Sequence, residues 1–125
     1  MEQNDNKVII YQDDNGITNI SVRFSDEDLW LTQNQIAELY DTTQQNISQH
    51  IEGIYQDSEL DREATHKNFL LVRTEGKRQV RREIDHFNLD MVIAIGYRVQ
   101  SQVATRFRRW ATIRLHEYIQ KGFAM

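Results

Sequence analysis

The stretch LTQNQIAELYDTTQQNISQHI, residues 31–51, decides the fold, because it contains the signals for two short helices separated by a tight turn. Thr32 is a good N-cap, and Gln35 stands three residues later, where it completes a capping box. Asp41 falls in the break after the first helix, and aspartate tolerates left-handed backbone geometry better than most residues. Thr42 and Thr43 can each cap a second helix. The stretch therefore predicts a helix-turn-helix.

The second predicted helix has a buried stripe and an outward face of amide side chains. Ile47, Ile51 and Ile54 are spaced i, i+4, i+7, which places them on one side of a helix, and Ala37 is small enough to let the two helices approach. The start of such a helix normally enters the DNA major groove, where Asn and Gln can bond bidentately to adenine. We therefore predict that this helix reads base edges of double-stranded DNA. Its predicted contact residues are Gln44, Gln45, Asn46, Ser48 and Gln49.

This helix contains no Lys or Arg, so the cations for DNA phosphates must come from another element. Residues 69–74 and 78–84 have β-rich composition around Glu75-Gly76, which predicts a hairpin with Gly76 at positive φ. A hairpin that follows a helix-turn-helix is the wing of a winged-helix domain. Its predicted phosphate contacts are Lys77, Arg78, Arg81 and Arg82. The alternative is a solvated basic edge strand whose charges discourage aggregation.

Upstream of residue 31, the sequence predicts another β-hairpin. Residues 7–12 and 17–24 have the character of strands around the turn DDNG, residues 13–16, because Asn-Gly is a strong hairpin signal. In the second strand Thr18, Ile20, Val22 and Phe24 share one face, which is the face expected to be buried. The run LWL, residues 29–31, favours a short third strand.

Downstream of the helix-turn-helix, residues 56–67 are polar and mostly acidic and are expected to form a loop with room for one helical turn. Asn88 can cap a helix from residue 89 to about 99, and Ser101 can cap another from 102 to 120. The face of the earlier helix expected to be buried contains Leu89, Val92, Ile93 and Gly96.

The last predicted helix combines an apolar stripe with a cationic rim, which favours packing on the core. A direct phosphate contact by Arg108 or Arg109 is the alternative use of the rim, and Ile113 stands off the stripe, where it could serve a dimer interface. The stripe contains Val103, Phe107, Trp110, Ala111 and Tyr118, and the rim contains Arg106, Arg108 and Arg109.

Together these elements predict an α+β fold, a winged helix-turn-helix with an N-terminal β-hairpin and two C-terminal helices. A length of 125 residues suits one domain, with the winged helix-turn-helix core at residues 25–87 and a C-terminal helical pair at residues 88–121. Hydrophobic residues make up 39% of the chain and charged residues 27%, which is typical of a folded, soluble protein and excludes a disordered one.

Charge is distributed unevenly along the chain, although the net charge is only −4. Residues 1–66 contain 14 Asp and Glu against 3 Lys and Arg, a net charge of −11, whereas residues 67–125 contain 5 against 12, a net charge of +7. An anionic partner is therefore expected to meet the second half. The chain contains no Cys, no apolar run long enough to cross a bilayer and no signal peptide, so a cytoplasmic location is expected.

The sequence contains no constellation that predicts an enzyme. Its four histidines, His50, His66, His86 and His116, are scattered and follow no metal-ligand spacing. It has no glycine-rich phosphate loop and no nucleophile elbow, so no catalytic residue, metal, cofactor or small-molecule ligand is expected. The alternative function is a protein–protein interaction module without DNA binding, in which the acidic first half docks a basic partner.

The motifs LWLTQNQIAELYDTTQQNISQHI, NLDMVIAIGYRV and RFRRWATIRLHEYIQKGFAM resemble the virulence protein RhuM family over essentially the whole chain. The last segment also resembles the Bro-N type domains of phages and viruses, which are associated with DNA binding. Asp41 and the cation-free second helix depart from the family, whose members usually have a glycine at the turn and a basic residue or two in that helix. The resemblance implies a bacterial, virulence-associated protein, often from a mobile element, of which this chain is the N-terminal part.

From the residues and the resemblance together, we expect a DNA-binding transcriptional or mobile-element regulator. Because such domains commonly form two-fold symmetric dimers, we also expect a homodimer.

Overall fold

The computed structural model of the protein describes residues 7–12 and 19–124. The predicted turn at residues 13–16, and Ile17 and Thr18 at the start of the next predicted strand, lie outside the described residues. The strands are β1 (Lys7–Gln12), β2 (Asn19–Ser25), β3 (Asp28–Thr32), β4 (His66–Glu75) and β5 (Arg78–Asn88). The helices are α1 (Gln33–Leu39), α2 (Gln44–Gln56), α3 (Arg62–Thr65), α4 (Leu89–Arg98) and α5 (Val103–Ala124). The predicted mixed α+β class is confirmed.

The five described strands form one antiparallel sheet in the order β1-β2-β3-β5-β4. Because side chains alternate between the faces of a strand, the apolar residues of β2 and β3 other than Trp30 lie on one face. Ile20, Val22 and Phe24 are fully buried there, as the sequence predicted, together with Leu29 and Leu31. Helices α1, α4 and α5 all contact β3, so the helical layer covers this face and the core lies between sheet and helices.

The β4–β5 hairpin is longer than the sequence predicted. His66 pairs with Phe87 and Lys67 with His86, so the ladder includes the last two residues of the segment that we predicted to be loop. The reason is that β5 is also a partner of β3, with Leu31 opposite Phe87, which extends the strand to Asn88. Gly76 occupies the turn with a φ of 65°, as predicted.

Helix α4 begins where the sequence predicted, with the Asn88 side chain accepting a hydrogen bond from the backbone N–H of Met91 at 3.3 Å. Its buried surface differs from the predicted stripe. Val92 and Gly96 are buried as predicted, but Leu89 and Ile93 are only half-buried. Met91, Ala94 and Ile95 are buried in addition. The helix contacts α2, α5 and the sheet at once, so more than one of its sides is covered.

Helix α5 packs its aromatic residues against the N-terminal hairpin. The Phe107 ring lies 5.1 Å from that of Tyr11, and the Tyr118 ring lies 5.6 Å from that of Phe24. Phe107 and Ala111 are fully buried, which confirms the predicted core-packing face. Within the described part of the chain, no helix has the combination of length and apolar character needed to span a membrane.

Candidate nucleic-acid interface

The turn between α1 and α2 is built as the sequence predicted. At the start of α1, the Gln35 backbone N–H donates to Thr32 Oγ1 at 3.1 Å, and the Thr32 N–H donates to Gln35 Oε1 at 2.8 Å. At its end, Asp41 takes a φ of 55°, and the N–H of Thr42 donates to the carbonyl of Ala37 at 2.9 Å. This left-handed residue and its backward hydrogen bond close α1 in the Schellman manner, with aspartate in the position that glycine usually takes.

Two threonines form the start of helix α2. Thr43 caps the helix, and Thr42 binds the side chain of Asn46, one of the predicted base-reading residues. Thr43 Oγ1 accepts from the backbone N–H of Asn46 at 3.0 Å, and the Asn46 side-chain amide donates to Thr42 Oγ1 at 2.9 Å. Asn46 and Ser48 are half-buried. The amide of Asn46 is therefore occupied by the turn and stabilises the entry to the helix.

The remaining predicted residues of α2 are exposed. Gln44, Gln45 and Gln49 face outward, while Ile47, Ile51 and Ile54 are buried on the opposite side. This burial confirms the predicted stripe, because those three isoleucines are the residues that pack on the core. The exposed glutamines offer both amide donors and carbonyl acceptors at the helix start.

The four cations predicted on the hairpin do not share one surface. Alternation along β5 places Arg78 and Arg82 on one face and Arg81 on the other, with Lys77 beside the turn. Arg82 forms a bidentate ion pair with Glu75, with Nε 2.7 Å from Oε2 and Nη2 2.9 Å from Oε1. These bonds and the carboxylate charge raise the pKa of Arg82. Lys77, Arg78 and Arg81 are exposed and have no ion-pair partner within residues 7–12 and 19–124.

An aromatic cluster anchors the base of the hairpin to the sheet, and sequence reasoning did not identify it. The Phe69 ring lies 6.0 Å from that of Trp30 and 4.8 Å from that of His86. The Arg23 guanidinium lies 4.6 Å from the centroid of the Phe69 ring, and Lys67 lies near both Phe69 and Trp30. The only sequence signal for this cluster is the alternation of Lys67 and Phe69 on β4, since its other members come from three different strands.

His86 belongs to the same cluster, and its burial favours the neutral form. Burial lowers the pKa of His86, while its Nδ1 lies 2.9 Å from the backbone oxygen of Ile84, the acceptor of an Nδ1–H bond in that tautomer. Beside it, His66 Nε2 lies 2.8 Å from Asp85 Oδ1. These contacts place both histidines in the hairpin's attachment to the sheet.

A groove of about 750 Å³ joins the start of α2 to the hairpin. Gln33 and Gln44 line one side, and the Gln33 side-chain amide donates to the Gln44 carbonyl at 2.9 Å. Leu71 and Ile84 line the hairpin side. Three carboxylates also line the groove, those of Glu38, Glu83 and Asp85. These carboxylates disfavour the binding of a phosphate inside the groove.

Arg108 and Arg109 are exposed on α5, away from the hairpin cations. Helix α5 packs on Tyr11 of β1 and Phe24 of β2, whereas β4 forms the opposite edge of the sheet. These arginines therefore do not extend the surface formed by α2 and the hairpin. Within residues 7–12 and 19–124, no group of three or more His, Asp or Glu side chains is arranged to hold a metal ion.

Comparison with known proteins gives one match. The model of the virulence protein RhuM family matches residues 64–125, which contain β4, β5, α4 and α5. No curated protein and no solved structure matches the chain. The predicted likeness of the last helix to Bro-N domains is not confirmed. Over residues 64–125, just under half of its length, the chain is similar to the virulence protein RhuM family, and this match supports the family assignment made from the sequence motifs.

Proposed function

We propose that this chain is a double-stranded DNA-binding module of the winged helix-turn-helix type, and that it serves a transcriptional or mobile-element regulator. In this proposal α2 reads base edges and the β4–β5 hairpin holds phosphates. The observation that carries it is the juxtaposition of two surfaces across one groove. One is the start of α2, where Gln44 lines the groove and Gln45 and Gln49 are exposed beyond it. The other is the hairpin, where Leu71 and Ile84 line the groove and the exposed cations lie outside it, closer to the tip.

The topology around the two helices supports the assignment of β4–β5 as a wing. Strand β3 enters the helix-turn-helix, and the hairpin leaves it and returns to pair with β3 through β5. The tip of the hairpin extends beyond the helical layer, since Leu70 and Val72 are 51% and 58% exposed. Lys77, Arg78 and Arg81 lie at or near that tip, where a duplex backbone can reach them.

The absence of Lys and Arg from α2 is consistent with a division of roles between the two surfaces. Each good bidentate pair between a side-chain amide and adenine contributes about 1–3 kcal/mol of discrimination against the wrong base. Phosphate contacts supply affinity without sequence preference and make binding depend on salt, with a slope of about −0.9 per neutralised phosphate in log K against log salt.

The first experiment measures binding to duplex DNA as a function of salt, with the triple variant Lys77→Gln, Arg78→Gln, Arg81→Gln beside the unmodified chain. Affinity should fall steeply with salt for the unmodified chain, and the triple variant should lose up to about 0.9 in slope for each phosphate contact removed. Binding that is independent of salt, or no binding to any duplex at low salt, would contradict the proposal. Selection from a random duplex pool at two salt concentrations then identifies any preferred site.

The second experiment tests base reading by α2. Gln45→Ala and Gln49→Ala should change the sequence preference more than the affinity for random duplex, because amide contacts to bases carry discrimination. Gln56→Ala is the matched control, since Gln56 is exposed on the same helix but at its far end. Equal losses on every sequence tested would exclude base reading by these glutamines.

A protein–protein interaction module is the second candidate function, and the acidic groove favours it. Glu38, Glu83 and Asp85 line the groove, and Glu52 is exposed on α2. These carboxylates would attract a basic segment of another protein. A chain that enriches no DNA motif but binds a Lys- and Arg-rich peptide with salt-dependent affinity would support this candidate over DNA binding.

We also propose a homodimer, because Tyr97 and Ile113 expose 77% and 53% of their surface on α4 and α5. Sedimentation equilibrium tests the state directly. A monomer at every concentration would exclude the dimer.

A further inference from the structure

The hairpin holds one of its own cations in an internal ion pair. Glu75 and Arg82 both project from the face that also carries Arg78, which lies directly opposite Glu75 in the ladder. The Glu75 carboxylate nevertheless reaches the Arg82 guanidinium and accepts two hydrogen bonds, at 2.7 Å and 2.9 Å. The side of the Arg82 guanidinium that would bind a phosphate is therefore occupied by the Glu75 carboxylate of the same hairpin.

This ion pair is open to exchange. The side chains of Arg82 and Glu75 are 52% and 40% exposed, so water and salt weaken their attraction. A phosphate presents two oxygens to a guanidinium in the same forked geometry as a carboxylate. It can therefore displace Glu75, but the displaced carboxylate is then left beside a polyanion.

We propose that Glu75 is an affinity-setting residue of the DNA interface, whose carboxylate competes with DNA phosphate for Arg82. This inference rests on the proposed DNA binding and adds to it a named residue that weakens binding. Its role is to position and mask Arg82, and it makes no contact with DNA itself. With the pair intact, Arg82 contributes little net charge to the interface, because the Glu75 carboxylate remains close to any phosphate that Arg82 neutralises.

The salt dependence of binding distinguishes this role from a structural one. Glu75→Gln keeps the size of the side chain but removes the competing charge, so Arg82 becomes available to one phosphate. The expected result is a slope of log K against log salt that is steeper by about 0.9, which is the value for one additional phosphate contact. Affinity at low salt should rise by roughly two- to fivefold, in line with the weakness of exposed ion pairs.

The matched control is Glu117→Gln. Glu117 pairs with Arg114 at 2.9 Å on the surface of α5, so this variant also removes one carboxylate and releases one arginine, but away from the hairpin. It should leave the salt slope unchanged. Binding is followed by fluorescence anisotropy of a labelled mixed-sequence duplex with the full chain, and circular dichroism checks that each variant is folded.

A double variant isolates the route through Arg82. In an Arg82→Gln background, Glu75→Gln should no longer steepen the slope. The inference is overturned if Glu75→Gln and Glu117→Gln have equal effects, or if Glu75→Gln keeps its effect without Arg82. If the unmodified chain binds with strong salt dependence and Glu75→Gln behaves like it, only this inference fails. If the unmodified chain binds no duplex at any salt concentration, the proposed function itself fails.

Discussion

Gly96 of α4 packs closely against Ala104 of α5 and against Tyr40, the residue that follows α1. A Cβ added there would lie 2.3 Å from the Cβ of Ala104 on α5 and 2.7 Å from the hydroxyl oxygen of Tyr40, which follows α1. The Tyr40 hydroxyl donates to the backbone carbonyl of Val92 at 2.6 Å, and burial raises the pKa of Tyr40. The glycine therefore allows α4 to pack closely against α5 and against Tyr40 at the end of α1.

Gly96→Ala should lower the free energy of unfolding by about 1–3 kcal/mol, because the added methyl overpacks a contact between two helices. This loss should exceed the gain of up to about 1 kcal/mol that alanine brings to a helix interior. Urea unfolding measures the difference.

Gly53→Ala is the control, since its added Cβ would meet only the end of the Arg98 side chain, at 3.0 Å from Nη1. A flexible side chain can shift, so this variant should be neutral or more stable. Equal destabilisation by the two substitutions would show that lost glycine flexibility, and not the close approach at Gly96, is responsible.

At the level of elements, the hairpin is held at its base, where α1 and α4 contact β5 and Phe87 is buried. Phe69 contacts Trp30 of β3 and His86 of β5, and Arg23 of β2 packs over its ring. The outer part of the hairpin is exposed on both faces, since Val72 is 58% exposed on one face and the Arg82 side chain is 52% exposed on the other. The direction in which the tip projects therefore depends on the contacts around Phe69.

Phe69→Ala should loosen the hairpin while the helical core remains folded. Phe69 is half-buried, so we expect a loss of about 1–3 kcal/mol, below the roughly 3–5 kcal/mol of a fully buried Phe. Hydrogen exchange should become faster at the amides of β4 and β5 before those of α4 and α5.

Leu70→Ala is the control, because Leu70 is the next residue, points to the other face and is 51% exposed. Its effect should stay within about 0.5 kcal/mol. Uniformly faster exchange throughout the chain in Phe69→Ala would contradict a local role for the anchor.

At the level of the whole molecule, α5 joins the N-terminal hairpin to the rest of the core. Phe107 is fully buried against Tyr11, and Trp110 lies against both Tyr11 and Phe24. Helix α5 also contacts α4, which in turn contacts α2. A series of packed elements thus extends from β1 through α5 and α4 to α2, as expected of one cooperative unit.

Phe107→Ala should lower the free energy of unfolding by about 3–5 kcal/mol, the usual cost of emptying a buried Phe site. His116→Ala, on the same helix but exposed, should change it by no more than about 0.5 kcal/mol. Tryptophan fluorescence and far-ultraviolet circular dichroism should give coincident transitions, because Trp30 and Trp110 lie in different parts of one unit. Two separate transitions would show that the N-terminal hairpin and α5 unfold independently of α1 and α2.

The sequence by itself determined the local features of this protein. The capping box of Thr32 and Gln35, the left-handed Asp41, the turn at Gly76 and the buried stripe of α2 were all predicted and are all present. These features depend on hydrogen bonds and side-chain periodicity within a few residues, which the order of amino acids fixes directly.

Only the tertiary structure decided how the candidate interface is assembled. The pairing of β5 with β3 extended the hairpin to Asn88, and alternation along β5 put Arg81 and Arg82 on opposite faces. Glu75 reaches Arg82 and not the Arg78 opposite to it, and no pattern in the sequence distinguishes these choices. The physical reason is that contacts between exposed long side chains depend on the register and twist of the strands that carry them, and packing across the sheet sets both.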